Sequence, residues 1–111
     1  MKKFVVLYHA PVSAREQMAG ATPEQAKAGM DAWMTWAKKA GNAIIDLGAP
    51  LGNGRGLKGA SVAQSSTTVV GYSILQADSI ESVTSVLKDH PHLRMPNFSI
   101  EVFESLPLPG T

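Results

Sequence analysis

The chain has 111 residues, which is enough for one domain with a hydrophobic core and too few for two. Hydrophobic residues make up 44% of the sequence, a fraction that argues against a disordered chain. The net charge of +1, with dispersed charged residues, argues against nucleic-acid binding, and the lack of cysteine excludes disulfides and cysteine-ligated zinc.

The beginning of the sequence shows no pattern of a targeting segment. Two lysines precede only a short apolar run, whereas a signal peptide has a longer run and a cleavage site of small residues. No segment approaches the roughly 20 apolar residues of a membrane span. We therefore expect a cytoplasmic protein without a membrane partner.

The first predicted element is a central strand. Residues 3–9 are rich in β-formers and apolar on both faces, and Pro11 ends the run. Ser13 and Glu16 then have the spacing that caps a short helix over residues 14–19.

A long amphipathic helix is predicted next. Thr22 and Gln25 have the spacing of a capping box, and Pro23 stands at the first helical position, where its missing N–H costs nothing. The helix should end at Gly41. Its apolar face is expected to contain Ala26, Gly29, Met30, Trp33, Trp36, Ala37 and Ala40.

The middle of the chain is predicted to contain a second strand and then the most flexible segment of the chain, residues 52–59. Residues 43–47 indicate a second strand, in which Asp46 interrupts an apolar run. The glycine-rich residues 52–59 follow, and Ser61–Gln64 is expected to pair as a short hairpin arm.

The second half of the chain repeats the pattern of strand, helix and strand. Residues 69–75 are apolar on both sides, which predicts another central strand. Asp78 and Glu81 have the spacing of a capping box for a helix that Pro91 stops. Residues 98–103 alternate between apolar and polar, as a half-exposed edge strand does.

The predicted order is therefore β-α-β-β-α-β, an α+β fold. Right-handed crossovers place both helices on one face of an antiparallel ferredoxin-like sheet with strand order 4-1-3-2. The first and third strands are then central, in agreement with their apolar faces. We expect one domain over residues 1–105 and a tail over residues 106–111.

Two helices leave the other face of this sheet uncovered. Several apolar side chains of the central strands would then meet water, although burial of each is worth roughly 1.5–3 kcal/mol. Such a patch is typical of an interface. We therefore expect a homodimer in which two sheets pack face to face.

Several motifs resemble the YCII-related proteins, which include a group named for a DGPF motif. They are FVVLYHAP at residues 4–11, GYSILQADSIESV at 71–83, DHPHL at 89–93 and SIEVFE at 99–104. The resemblance implies a single YCII-like domain with the dimeric α/β-barrel fold. It also implies, for some members, acid/base chemistry by a histidine of the first helix and a nearby aspartate, with one branch associated with dehydrochlorination.

The sequence departs from this family at the positions that carry the chemistry. The helix histidine is replaced by Met30 or a neighbour, and residues 52–68 contain no DGPF motif. The family's acid/base pair therefore does not transfer by position, and another element must supply any catalytic histidine.

His9 and Asp46 are the predicted catalytic residues. A neutral imidazole acts as base or acid, a carboxylate orients it, and Asp46 within an apolar strand needs a partner if it is buried. We expect both in a pocket between the long helix and the sheet, lined by Tyr8, Trp33 and Trp36. Alternatively, Asp46 faces solvent on an edge strand and His9 only ends a strand.

Two further histidines and two tryptophans are candidate ligand-binding residues. His90 and His92 flank a proline, but without a third ligand they are a poor metal site, so no metal is predicted and a solvated helix end is the alternative. Trp33 and Trp36 suit either the core or stacking on a planar ligand.

Two functions agree with these residues. The first is acid/base chemistry, lyase- or isomerase-like, on a small aromatic or carboxylated compound without a tightly bound cofactor. The alternative is a non-catalytic homodimer that binds a small ligand or supports another protein. The second predicts a pocket without convergent polar groups.

Overall fold

A computed structural model describes residues 1–110 of the chain, which form an α+β domain. The elements are β1 (Lys2–His9), α1 (Ala14–Gly20), α2 (Pro23–Ala40), β2 (Ile44–Pro50), β3 (Arg55–Lys58), β4 (Ser61–Gln64), β5 (Val69–Ala77), α3 (Ile80–Leu87) and β6 (Ser99–Glu104). Two 3-10 turns, Gly41–Ala43 and Pro91–Arg94, follow α2 and α3.

The described residues form a main sheet of four antiparallel strands in the order β2-β5-β1-β6. β1 and β5, which the sequence predicts to be central, are the central strands, and β6 lies at an edge. β3 and β4 pair only with each other, as a separate hairpin.

The hydrophobic core lies on one face of this sheet. Phe4, Val6 and Tyr8 alternate along β1 with less buried residues, because successive strand residues point to opposite faces. Leu75 and Ala77 of β5 lie on the same face. Trp36 of α2 and Val83 and Leu87 of α3 pack against it. The helices α2 and α3 therefore cover one face of the sheet.

The helix caps agree with the sequence in two of three places. Ser13 caps α1, and Thr22 and Gln25 form the reciprocal capping box of α2. The predicted box of Asp78 and Glu81 is wrong. The ladder between β1 and β5 extends to Ala77, so α3 begins one residue later, with Ser79 as its N-cap.

The first half of α2 does not pack on the sheet as the sequence predicts. Trp36 near the end of the helix is buried, whereas Ala26, Gly29 and Met30 are exposed although they belong to the predicted apolar face. The start of α2 therefore stands away from the sheet, and a cleft opens beneath it.

The opposite face of the sheet, called the open face below, is formed by alternate residues of the strands. Val5 and Leu7 of β1, Ile74 of β5 and Phe103 of β6 lie there, and none of them is fully buried. The described molecule is only 20 Å thick along its shortest axis, which is room for one sheet and one helix layer.

The C-terminal residues continue beyond β6 without helix or strand as far as Gly110. The tail over residues 106–111 stays a prediction, and Thr111 lies outside the described residues. No described helix has both the length and the apolar character that a membrane crossing requires.

Candidate ligand-binding cleft

A concave site lies between α1, the first half of α2 and the sheet. Its volume is about 570 Å³, and it is open to solvent on one side. Most of its wall is apolar, from Tyr8 and Leu47 on the sheet to Met18, Met30 and Trp33 on the helices. The site therefore suits a small molecule with a large apolar surface.

Two glycines allow β2 to approach β5 at the wall of the cleft. Gly48 has φ +82°, and a Cβ at this position would lie 1.7 Å from the carbonyl oxygen of Tyr72. At Gly71 a Cβ would lie 3.3 Å from the carbonyl oxygen of Ala49. Larger residues here would push the two strands apart and change the shape of the wall.

Tyr8 forms the floor of the cleft and is held by a chain of hydrogen bonds. Its hydroxyl lies 2.8 Å from Oγ of Ser73, which donates in turn to the carbonyl oxygen of Leu47 at 2.6 Å. Burial raises the pKa of Tyr8 to about 12. The phenol is therefore neutral at physiological pH and acts as a structural donor rather than as a base.

Trp33 connects Tyr8 to a group of rings beneath the cleft. Its ring meets that of Tyr8 edge to face, with a distance of 4.9 Å between centroids. Trp33 lines the cleft between the long helix and the sheet, where the sequence places it. Trp36 instead belongs to the core, as the alternative interpretation has it. It is buried, and its indole N–H donates to the carbonyl oxygen of Val86 at 3.0 Å.

His90 is buried inside this aromatic group and does not line the cleft. Its ring centroid lies 4.3 Å from those of Trp33 and Trp36 and 5.0 Å from that of Tyr8. Nδ1 accepts the N–H of His92, so the proton of the neutral ring is on Nε2, which has no hydrogen-bond partner among the described residues. The predicted solvated helix end is therefore wrong, and the structure places His90 beneath the cleft rather than in its wall.

The surroundings of His90 keep its imidazole neutral. Burial, and to a smaller extent the charge of His92, lowers the pKa of His90 to about 4. The ring of Trp33 stands nearly perpendicular to that of His90, an arrangement in which an N–H can point at an aromatic face. His90 therefore serves as a polar core residue that positions Trp33 and His92.

His92 is the predicted ligand-binding histidine that lines the cleft. Its Nε2 lies 2.8 Å from the carbonyl oxygen of His9, to which it donates in the neutral ring. Burial lowers the pKa of His92, while the carbonyl groups of His9 and Ser99 act in the opposite direction. The neutral ring offers an apolar edge to the cleft.

His9 does not enter the cleft, so its predicted place there is wrong. Its side chain lies on the open face, because it alternates with Tyr8 along β1. Nδ1 of His9 lies 2.8 Å from the hydroxyl of Thr68. Nε2 lies 2.6 Å from the carboxylate of Glu101, but the angle at Nε2 does not allow a hydrogen bond to that oxygen. The ring of His9 in β1 therefore contacts Glu101 of β6 and Thr68, the residue before β5, on the open face.

Asp46 is also absent from the residues that line the cleft. It is exposed on the edge strand β2, where it accepts the N–H of Gly48 at 2.8 Å and the hydroxyl of Tyr72 at 3.4 Å. It pairs with Ile74, two strands from β1 and about 13 Å along the strands from His9. The structure does not bring the two predicted catalytic groups together.

Sequence reasoning missed the contribution of α1 to the cleft. Gln17 and Met18 line its mouth, and Gln17 is held there by a 2.8 Å hydrogen bond to the carbonyl oxygen of Val12. The cap at Ser13 predicts the helix but not where it packs. Within residues 1–110, no three histidine, aspartate or glutamate side chains are placed to hold a metal ion.

Comparisons of this chain with protein-family models and with curated proteins find no match.

Proposed function

We propose that this protein binds a small, flat, mainly apolar molecule in the cleft and that it does so without catalysis. The observation that carries this proposal is the composition of the wall, which is aromatic, aliphatic and methionine-rich and contains no pair of acid and base. A volume of about 570 Å³ is within the range of small-molecule sites.

The wall also favours a neutral ligand over a carboxylated one. No lysine or arginine of the described residues lines the cleft, so an anion would lose its hydration without gaining a positive partner. Met18 and Met30 offer flexible thioether side chains that adapt to a ring, and Trp33 offers an aromatic surface. An uncharged aromatic compound fits these contacts best.

Acid/base chemistry, lyase- or isomerase-like, is the second candidate, and it rests on His92. This ring lies at the cleft with a lowered pKa, so it is neutral near pH 7, as a general base must be. It lacks a carboxylate partner in the cleft, since Asp46 lies on the edge strand. For this reason we place catalysis behind binding.

We further propose that the chain is a ferredoxin-like member of the YCII-related proteins and forms a dimeric α/β barrel. Support comes from the antiparallel sheet with β1 and β5 in its centre and from the single helix-covered face. The open face, with Val5, Leu7 and Phe103, is an apolar surface that a second sheet would cover.

Titration with 1-naphthol tests the binding proposal, and 2-naphthoate serves as the charged probe. We expect 1-naphthol to change the tryptophan fluorescence and to raise the melting temperature, with 2-naphthoate at least about tenfold weaker because its carboxylate is desolvated. Equal affinity for both probes would contradict a neutral apolar site.

Two variants on the same helix locate the site. Met30 lines the cleft and Met34 does not, while their exposed fractions are 60% and 50%. We expect Met30→Glu to weaken 1-naphthol binding by about tenfold or more, because a charge replaces an apolar contact, and Met34→Glu to leave it unchanged. Equal effects of the two substitutions would place the ligand elsewhere.

A further inference from the structure

The β3–β4 hairpin, called the arm below, carries apolar side chains that nothing in the described chain covers. Every residue of Arg55–Lys58 and Ser61–Gln64 is exposed. Leu57 and Val62 are paired across the two strands, with exposed fractions of 74% and 63%. An apolar pair at the same point of both strands is typical of a hairpin that packs on another surface.

The arm extends away from the sheet rather than folding back on it. The N–H of Leu51 donates to Val70 at 2.9 Å and that of Ser65 donates to Gly54 at 3.0 Å, so hydrogen bonds continue from the β2–β5 ribbon to the base of the arm. The radius of gyration is 15.5 Å, whereas about 13 Å is expected for a compact chain of this length.

A two-stranded hairpin without a packing partner is only marginally stable in water. The arm therefore needs a surface on another molecule. The candidate surface must be apolar at its centre, to cover Leu57 and Val62, and acidic nearby, because Arg55 lies two residues before Leu57 on the same face of the arm.

The open face has this character. Val5, Ile74 and Phe103 form an apolar row across its strands, and Phe103 is 51% exposed. Asp46 and Glu101 add exposed carboxylates on the same face. Apolar and charged features of the arm thus match those of the open face of the same chain.

The positive groups of the arm have no carboxylate partner of their own among the described residues. The guanidinium of Arg55 donates only to oxygens of Asn53 and Gly54, at 3.0 to 3.2 Å. Lys58 takes part in none of the ion pairs of residues 1–110. Arg55, on the same face of the arm as Leu57, is therefore free to meet a carboxylate of another copy.

The arm adds contact area to that of the open face. Two-fold symmetry would supply this contact twice, since each protomer gives one arm and receives one.

We propose that the arm packs against the open face of a second copy of this chain, with Leu57 and Val62 on its apolar row and Arg55, which lies on the same face of the arm, toward its carboxylates. This inference rests on the homodimer proposed above and assigns the segment that completes its interface. It is independent of the ligand in the cleft, which the naphthol titration tests separately.

Sedimentation equilibrium of the full chain tests the arm. We expect Leu57→Glu/Val62→Glu to raise the dimer dissociation constant by about a hundredfold, because two carboxylates replace the apolar contact beside Asp46 and Glu101. Met34→Glu, on the helix layer, is the matched control and should leave the constant unchanged. Circular dichroism verifies that all variants remain folded.

The outcomes separate the arm from the dimer. A wild-type dimer with an unchanged constant in the double variant overturns the role of the arm and leaves the homodimer standing. A wild-type chain that stays monomeric at about 100 μM overturns both.

Chemical crosslinking identifies the contact itself, since the chain has no cysteine of its own. Leu57→Cys and Phe103→Cys proteins are mixed, allowed to exchange subunits and treated with a short bismaleimide. We expect mass spectrometry to find position 57 linked to position 103 between chains, and no link to position 34 in a mixture with Met34→Cys. A dominant link between two copies of position 57 would show arms paired with each other and overturn the proposal.

Discussion

The two faces of the main sheet show how the same strands can build a core on one side and leave a surface on the other. On the helix-covered face, Phe4, Val6 and Leu75 are fully buried. On the open face, Val5, Leu7 and Ile74 come from the same two strands and are only half-buried. The difference in burial arises because helices pack on only one face of these strands.

Polar side chains differ between the faces in the same way. The histidine and tyrosine of the covered face, His90 and Tyr8, are enclosed by rings or by one close hydrogen-bond partner. Those of the open face, His9 and Tyr72, contact the carboxylates Glu101 and Asp46 near solvent. Two matched pairs of residues, one of phenylalanines and one of tyrosines, and the buried His90 therefore measure how much the helix layer contributes.

The phenylalanine pair tests the largest difference. Phe4 has an exposed fraction of 0% and Phe103 one of 51%, on neighbouring strands. We expect Phe4→Ala to lower the free energy of unfolding by about 3–5 kcal/mol and Phe103→Ala to lower it by less than about 1 kcal/mol in the monomer. Urea denaturation at low protein concentration measures both values.

A homodimer sharpens the same measurement. At high protein concentration the effect of Phe103→Ala should increase, because the side chain would then be buried between two sheets. The two alanine variants could instead lower the free energy of unfolding by amounts within about 1 kcal/mol of each other at every concentration. That result would contradict the distinction between the faces.

The architecture was predictable because its signals are local. The apolar character of both faces of β1 and β5 places them in the middle of the sheet, and the reciprocal cap of Thr22 and Gln25 fixes the start of α2. Such signals depend on residues a few positions apart, which the sequence displays directly.

The site was less predictable because it depends on tertiary packing. Met30 has the spacing of a buried helix face, and a periodic pattern does not distinguish packing on a sheet from lining a cleft. His90 follows a helix end that resembles a solvated one, yet the chain turns it beneath α2. The alternation along β1 does place Tyr8 and His9 on opposite faces, and this signal separates His9 from the cleft.

The histidine of the covered face predicts an acid-sensitive core. Burial lowers the pKa of His90 from 6.5 to about 4, so the unfolded chain binds more protons between these two pH values. Stability should therefore fall by about 3 kcal/mol as the pH decreases from 6.5 to 4, and the lowered pKa of His92 acts in the same direction.

His90→Asn isolates this contribution. The amide oxygen replaces Nδ1 as the acceptor for the N–H of His92 and does not titrate. We expect the variant to be less stable at pH 7, because it leaves space among the rings, but to lose most of the slope between pH 4 and 6.5. A slope equal to that of the wild type, in urea denaturation at a series of pH values, would assign the acid sensitivity to other groups.

The tyrosine pair provides the smallest test. The hydroxyl of Tyr8 is buried and lies 2.8 Å from Ser73, whereas that of Tyr72 lies 3.4 Å from Asp46 near solvent. Tyr8→Phe leaves Ser73 with one hydrogen bond fewer in a buried place, so we expect a loss of about 1 kcal/mol. Tyr72→Phe should cost less than about 0.5 kcal/mol, since water replaces the hydroxyl at Asp46.

Because Tyr8 is the floor of the cleft and its ring is retained, Tyr8→Phe should also leave 1-naphthol binding within about twofold. Equal stability costs for the two substitutions would contradict the difference between the buried and the solvent-near hydroxyl. A lost naphthol site in Tyr8→Phe would mean that the hydroxyl of Tyr8 contacts the ligand.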